Sequence, residues 1–240
     1  MRLLDSARHV LRDVHVFVFP SECAGCGLPD VGVCSDCGDA LSAHPRLVDP
    51  QSAPATLTIP VVSAGEYDVT LARVLHAIKD GGRAGIARVL SARFADTIRA
   101  FEQGFDVDLT PAKNQVAGEP LRLVAPPSSR DNRRVRGFEP LNLIAHHAGV
   151  RLWQPLVSSR RRADQSRLGL SARADNMRNS MSTRANVTGA SVVLVDDVMT
   201  TGATLTEMTR ALHDAGAHVR GAVVLGHAVR RWPHPRSRQL

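Results

Sequence analysis

The stretch VVLVDDVMTTGATL, residues 192–205, sets two adjacent carboxylates behind an apolar run and follows them with small hydroxyl residues around one glycine. Val192 to Val195 are continuously apolar, the pattern of a strand buried on both faces of a sheet. Asp196 and Asp197 therefore stand at the strand's carboxyl end, where open α/β sheets bind their ligands. The turn Thr200-Thr201-Gly202-Ala203-Thr204 leads directly into a helical pattern. Backbone N–H groups, hydroxyl donors and the positive end of a helix dipole together make an anion site that needs no lysine. The carboxylates would repel a phosphate, yet they accept hydrogen bonds from vicinal hydroxyls. The combination describes a phosphorylated sugar, with ribose on Asp196 and Asp197 and its 5′-phosphate in the turn. The competing interpretation is an ordinary strand end and N-cap with solvated aspartates.

Outward from this stretch, strand-like and helix-like segments alternate. Residues 60–67 (PVVSAGEY) read as a strand, and 68–82 (DVTLARVLHAIKDGG) as a helix halted by a glycine pair. Residues 84–104 form a longer helical pattern ending at Gly104. LRLVAPP (121–127) is a short strand stopped by prolines, and FEPLNLIAHHAGV (138–150) a helix ending near Gly149. After the 192–197 strand come a helix in TLTEMTRALHDAG (204–216) and a last strand in AHVRGAVVLGHAV (217–229). Such alternation predicts an α/β fold, a mostly parallel sheet flanked by helices. Residues 44–60 hold four prolines and little periodicity, so they read as a linker. The expected organisation is an N-terminal helix and cysteine unit over 1–43, that linker, an α/β domain over 61–230 and a disordered tail over 231–240.

All four cysteines fall within fifteen residues, as Cys23-Ala-Gly-Cys26-Gly and Cys34-Ser-Asp-Cys37-Gly. Two C-x2-C pairs can close a tetrahedral thiolate site, each supplying two ligands from one tight turn. Gly27 and Gly38 follow the second cysteine of each pair, where positive φ lets backbone N–H groups point at sulfur. The alternatives are two disulfides or free buried thiols. Zn²⁺ held by Cys23, Cys26, Cys34 and Cys37 would have no open coordination position and so would be structural. Metal binding would supply the folding energy of so small a unit. Apolar residues at Leu3, Leu4, Ala7, Val10, Leu11 and Val14 have helical spacing and would cover one side of it.

The formal charge of the 240-residue chain is +7, and its only lysines are Lys79 and Lys113. Between Arg130 and Arg184 stand twelve arginines against four acidic residues. That cluster suits a polyphosphate, a nucleic-acid backbone or a solvated face. Aromatic content of 4% argues against a stacking platform for single strands. No run approaches the roughly 20 apolar residues of a membrane span, and the first residues lack the apolar core of a secretory signal. A cytoplasmic protein without membrane insertion is expected.

VVLVDDVMTTGAT resembles the phosphoribosyl-pyrophosphate (PRPP) signature of type I phosphoribosyltransferases. The resemblance implies that Asp196 and Asp197 hold the ribose hydroxyls, with Thr200, Thr201, Gly202, Ala203 and Thr204 around the 5′-phosphate. More narrowly, residues 20–226 are similar to the ComF/GntX family, whose best-known members take part in natural DNA uptake. That similarity runs through the four-cysteine unit, Tyr67, Ala77-Ile78-Lys79-Asp80-Gly81-Gly82, Arg136-Gly137-Phe138, Asp164-Gln165 with Leu168, Arg173 and Asn176, and the PRPP signature. Two places depart from it. Val124-Ala125-Pro126-Pro127 replaces the usual Val-Pro-Val-Pro, and Glu139-Pro140 replaces Asn-Gln after Arg-Gly-Phe. The first lies where such enzymes build a pyrophosphate loop, and proline removes an N–H donor there. Ser128, Ser129 and Arg130 remain as donors, and Arg136, Arg134 or Lys79 can steady a diphosphate. Lys79 is equally readable as an ordinary last-turn lysine. Residues 160–181, rich in charge and poor in apolar anchors, read as a flap over ligand or a solvated hairpin.

On sequence alone, function stays divided among three readings. An enzyme of this kind would displace pyrophosphate from C1 of Mg²⁺-bound PRPP with a nitrogen nucleophile. No residue stands out as general base: His146 and His147 share a helix, where one is expected buried and the other exposed. The alternatives are a non-catalytic DNA-uptake accessory protein that binds single-stranded DNA or competence proteins, and a PRPP-sensing regulator.

Overall fold

The computed structural model describes residues 22–49, 56–105, 121–128, 134, 136–158 and 179–229. The N-terminal helical pattern, Ser129, Arg130, residues 160–178 of the expected flap and the 231–240 tail lie outside the described residues.

Among the described residues there are eight strands: β1 (Arg46–Leu47), β2 (Val61–Ser63), β3 (Arg122–Val124), β4 (Leu152–Trp153), β5 (Leu156–Ser158), β6 (Met181–Thr183), β7 (Ser191–Met199) and β8 (His218–His227). The helices are α1 (Ser35–Ala40), α2 (Val69–Lys79), α3 (Val89–Phe105), α4 (Pro140–His147) and α5 (Ala203–Asp214). Six strands form one sheet in the order β1-β2-β8-β7-β3-β4, and β5 and β6 pair separately. Every pairing in the large sheet is parallel except that of β1 with β2.

The long apolar runs of β7 and β8 explain why they occupy the centre. Side chains alternate across a strand, and both faces of β7 are covered. Val193 and Val195 belong to one buried cluster with Leu71, Val74 and Ile78 of α2, Phe94 and Phe101 of α3 and Ile144 of α4. Val192 and Leu194 belong to another with Leu205, Met208, Ala211 and Leu212 of α5. Removing each such side chain from water contributes roughly 1.5–3 kcal/mol. Gly221 of β8 permits one close approach, because a Cβ there would lie 2.6 Å from the Phe101 ring.

The chain from β3 runs outward through α4 to β4, whereas the chain from β7 turns the opposite way through α5 to β8. The connections therefore diverge between β3 and β7. In open parallel sheets such a reversal opens a crevice at the carboxyl ends of the strands, where ligands bind. Asp196 and Asp197 on one side, and the Ala125 to Ser128 segment on the other, flank that crevice.

Several expectations change in detail. The stretch read as a linker is partly built into the sheet: β1 pairs with β2 through Arg46↔Ser63 and Leu47↔Val62, and Val48 and Leu57 are buried. Proline-rich composition hides this, because an edge strand of two residues carries no periodic signal. The long helical pattern after Gly82 opens as a 3-10 segment, Ala84–Arg88, before α3 begins. The β5–β6 hairpin leaves no mark in the sequence because its arms are three residues each and pair across a long separation, Ser158 with Met181. Helix α5 holds this hairpin. Glu207 accepts from the Met181 N–H at 2.9 Å, and Arg210 donates both to Glu207 and to the Met181 carbonyl. Burial alone would raise the Glu207 carboxyl, but these donors outweigh it and hold it below its usual range.

Candidate functional site

Strand β7 carries the two aspartates to the edge of the core. Asp196 is buried and Asp197 partly exposed. Each carboxylate accepts from the next backbone N–H, Asp196 from Asp197 and Asp197 from Val198, both at 2.9 Å. These bonds hold the side chains at the strand end. Burial pushes the Asp196 carboxyl up to about 7, against the opposing pull of the Lys79 ammonium. Near neutral pH this side chain can therefore donate as well as accept a hydrogen bond.

The turn after β7 ends at Gly202, which caps α5 with φ +71°. Glycine reaches this left-handed conformation without a Cβ penalty. As a cap it also brings no side chain to the first turn of α5, whose leading N–H groups have no partner within the helix. The Thr201 hydroxyl accepts weakly from Ala203 N–H at 3.4 Å. Thr200 is exposed, and Thr201, Ala203 and Thr204 are partly so. The arrangement is a cradle of donors at the positive end of a 12-residue helix.

Three charged side chains reach this place from elsewhere in the chain. Helix α2 starts with the Asp68 carboxylate capping Leu71 N–H at 2.8 Å and buries Leu71, Val74, Leu75 and Ile78. It stops where Gly81 packs so closely that a Cβ would lie 2.8 Å from the Ala77 carbonyl oxygen. At its end Lys79 forms an ion pair with Asp197. Next to it Asp80 pairs with Arg136 at 2.9 Å. Burial lowers the Lys79 pKa, nearby Arg136 adds to that, and Asp196 and Asp80 oppose it. Lys79 is thus drawn into the aspartate pair and is not a free last-turn lysine. The sequence alone leaves its role open because no local pattern links residue 79 to residue 197. The Asp80–Arg136 pair is hidden for the same reason.

Of the other expected donors, Ser128 is partly buried on the loop after β3, and Arg134 is exposed. His146 and His147 are both at least partly exposed, which corrects the expectation that one is buried: the inward face of α4 is taken by Ile144 and Ala145. A buried histidine does occur at the end of β8. His227 Nδ1 lies 3.0 Å from the Ser63 hydroxyl and 2.9 Å from the Gly65 carbonyl oxygen, and burial lowers its pKa. These contacts tie the carboxyl ends of β2 and β8 together.

The four cysteine ligand atoms lie within 4.8 Å of one another. Cys26 and Cys34 Sγ are 3.7 Å apart, and all four cysteines are free thiols. A tetrahedron with metal–sulfur bonds of about 2.3 Å has sulfur edges of about 3.8 Å, so the set fits a metal such as zinc. Burial tends to raise the Cys23 thiol, but N–H groups of Cys26, Cys34 and Gly25 outweigh it and bring it down to about 6. Burial and its neighbouring sulfurs push Cys37 up to about 12. A bound cation would let all four ionise as ligands. Gly27 takes φ +85° as expected. Gly38 does not take positive φ, because the second pair closes on helix α1, in which Gly38 is an interior residue.

Residues 134–237 match the phosphoribosyl transferase domain. DNA utilization protein YhgH of Salmonella typhimurium is 29% identical over 203 residues, covering 82% of this chain and 80% of the relative. YhgH of Escherichia coli K12 is 28% identical over 200 residues, covering 81% and 79%. Among solved structures, a hypoxanthine phosphoribosyl transferase of Trypanosoma cruzi overlaps 64% of this chain and 72% of its own, with 17% identity and a TM-score of 0.35. Residues 134–237 thus carry a phosphoribosyl transferase domain, and a four-cysteine unit that could hold a metal ion stands ahead of it.

Proposed function

We propose that the crevice between β3 and β7 binds PRPP with Mg²⁺, and that the protein transfers the phosphoribosyl group to a nitrogen acceptor. The carrying observation is Asp196 and Asp197 near the carboxyl end of β7, whose last residue, Met199, leads through a short turn into a helix capped by Gly202. In this reading the aspartates accept from the ribose hydroxyls, and the Thr200 to Thr204 turn receives the 5′-phosphate. The diphosphate lies toward Lys79, Arg136, Ser128, Ser129 and Arg130. Among the described residues only the four cysteines form a cluster of three or more metal ligands. A magnesium ion arriving with PRPP would be held mainly by substrate oxygens and would balance charge developing on the leaving group. The cysteine unit would carry Zn²⁺ structurally.

In the reaction the C1–oxygen bond to pyrophosphate breaks as the C1–nitrogen bond forms. The ribose ring becomes positive, and the expelled diphosphate becomes more negative. Lys79 and Arg136, which pair with Asp197 and Asp80, would stabilise the latter. The acceptor nitrogen gives up one proton, which passes to the expelled pyrophosphate or to water.

A second reading comes from the relatives' name, DNA utilization protein: a PRPP-fold accessory protein that handles single-stranded DNA with its arginine-rich segments. Titration calorimetry separates the two. Saturable Mg²⁺–PRPP binding by the zinc-loaded protein, weakened at least about 100-fold in an Asp196→Asn/Asp197→Asn variant, is expected from two charge-assisted hydrogen-bond sites. Absence of binding by folded wild type, with strongly salt-dependent affinity for single-stranded DNA, would overturn the first reading in favour of the second.

A further inference from the structure

Helix α2 touches both chemically specialised parts of the molecule. Arg73, in its middle, donates at 3.0 Å to the carbonyl of Gly25, which lies between Cys23 and Cys26. Arg83, just beyond its end, donates at 3.2 Å to the carbonyl of Gly32, two residues before Cys34. That same carbonyl receives the Ala24 N–H at 2.9 Å, so it ties the two cysteine turns together. The contact is tight: a Cβ on Gly25 would lie 2.5 Å from Cys37 Sγ and 3.2 Å from the Thr70 methyl. Six residues after Arg73, the same helix delivers Lys79 to Asp197, and Asp80 then meets Arg136. Six residues of continuous helix are about 9 Å of rigid rod.

We infer that metal occupancy of the cysteine unit and PRPP binding are coupled through α2, with Arg73 and Arg83 as the positioning residues that carry the coupling. The inference rests on the PRPP reading above. Metal holds the two turns that present the Gly25 and Gly32 carbonyls. Without it nothing bridges the two cysteine turns, and the Gly25 and Gly32 carbonyls are no longer held where the two guanidinium groups meet them. The end of α2 is then no longer held against β7. Ribose binding needs Asp197 released by Lys79, and the reach of Lys79 from there to a diphosphate is set by where α2 ends. Coupling between two binding equilibria is reciprocal, so bound PRPP must also retain the metal.

The reciprocal form is testable on the zinc-loaded full chain. Zinc release to a chromophoric chelator is timed with and without saturating Mg²⁺–PRPP. Wild type is expected to release zinc at least about fivefold more slowly with PRPP, the low end of ordinary coupling. The Asp196→Asn/Asp197→Asn variant controls for zinc binding by free PRPP. An Arg73→Gln/Arg83→Gln variant, still binding PRPP by calorimetry, is expected to lose the protection. That separates coupling from general stabilisation by ligand, which would persist. Arg73→Lys, keeping one donor, is expected to retain part of the effect and serves where the double variant folds poorly. Unchanged zinc release in wild type that demonstrably binds PRPP would overturn the coupling alone. Absence of PRPP binding would overturn the PRPP reading and the coupling with it.

Discussion

The four-cysteine unit and the aspartate turn are both short and dense in chemistry, yet they are assembled differently. The first draws all its ligands from fifteen consecutive residues, and its geometry comes from two local turns and one short helix. The second takes only its aspartates and phosphate cradle from a local stretch. Lys79, Asp80 and Arg136 come to it from 60 to 118 residues away in sequence, placed by α2 and by the segment before α4. A locally built site stands or falls with its own residues. A site built from afar can be weakened through helices and loops that touch no ligand.

That contrast can be broken most forcefully at the cysteines. Replacing Cys34 and Cys37 with serine is expected to take metal content from one zinc per chain to none. It should also unfold the unit, since metal binding supplies folding energy of order 10 kcal/mol in such small units. Elemental analysis reads the first effect, and faster proteolysis within residues 22–43 the second. A metal-free wild type, carefully purified, would remove the basis of the comparison.

The next largest effect is expected on the other side of the sheet, at the clamp that holds the β5–β6 hairpin. Glu207 is buried, and its loss would leave the Met181 N–H without its acceptor and Arg210 with only the Met181 carbonyl and Asp214. Glu207→Ala should cost about 3 kcal/mol and lower Tm by roughly 6–12 °C in a chain of this size. A calorimetric Tm within a degree of wild type would show that the hairpin is held by other means.

A pH series sharpens the case of Asp196. Its carboxyl titrates near 7 in the fold and near its ordinary 3.8 when unfolded. Between those values the folded state holds more protons, so stability falls as pH rises from about 4 to 7. Asp196→Asn removes this loss. It should stabilise the free protein at pH 8 by at most about 4 kcal/mol, with the gain vanishing below pH 4, even as it impairs the site. Equal Tm differences at pH 4 and pH 8 would contradict a carboxylate strained by burial.

The smallest effect belongs to Arg46 and Glu66, paired at 3.0 Å across the β1 edge with about half of each side chain exposed. Solvent screens such a pair, and Arg46→Ala should change stability by no more than about 0.5 kcal/mol. A denaturant midpoint shifted by several times that amount would mean that β1 is held to the sheet largely by this contact.

How far the fold is legible in advance depends on the length of the pattern. β7, β8, α2 and α5 carry long runs or clear periodicity and are legible, as is the parallel α/β plan. The two- and three-residue strands β1, β4, β5 and β6 are not, because pairing across a sheet creates them and composition does not. Gly27 and Gly38 illustrate the same limit at one residue: identical contexts in sequence, but one closes a turn and the other sits inside α1. At the candidate site, Asp196, Asp197 and the Thr200 to Thr204 turn are legible because strand, turn and helix succeed one another directly.

By itself, then, the chain determined everything that depends on neighbours along it: the buried run of β7, the paired carboxylates, the glycine-capped helix start and the clustered thiols. Only the tertiary structure decided that Lys79 meets Asp197, that Arg136 meets Asp80, and that Arg73 and Arg83 join α2 to the cysteine turns. Those contacts form between segments brought together by burial of a shared core, and hydrophobic burial is non-directional. It leaves no mark in sequence to say which charged residues at its rim will face each other.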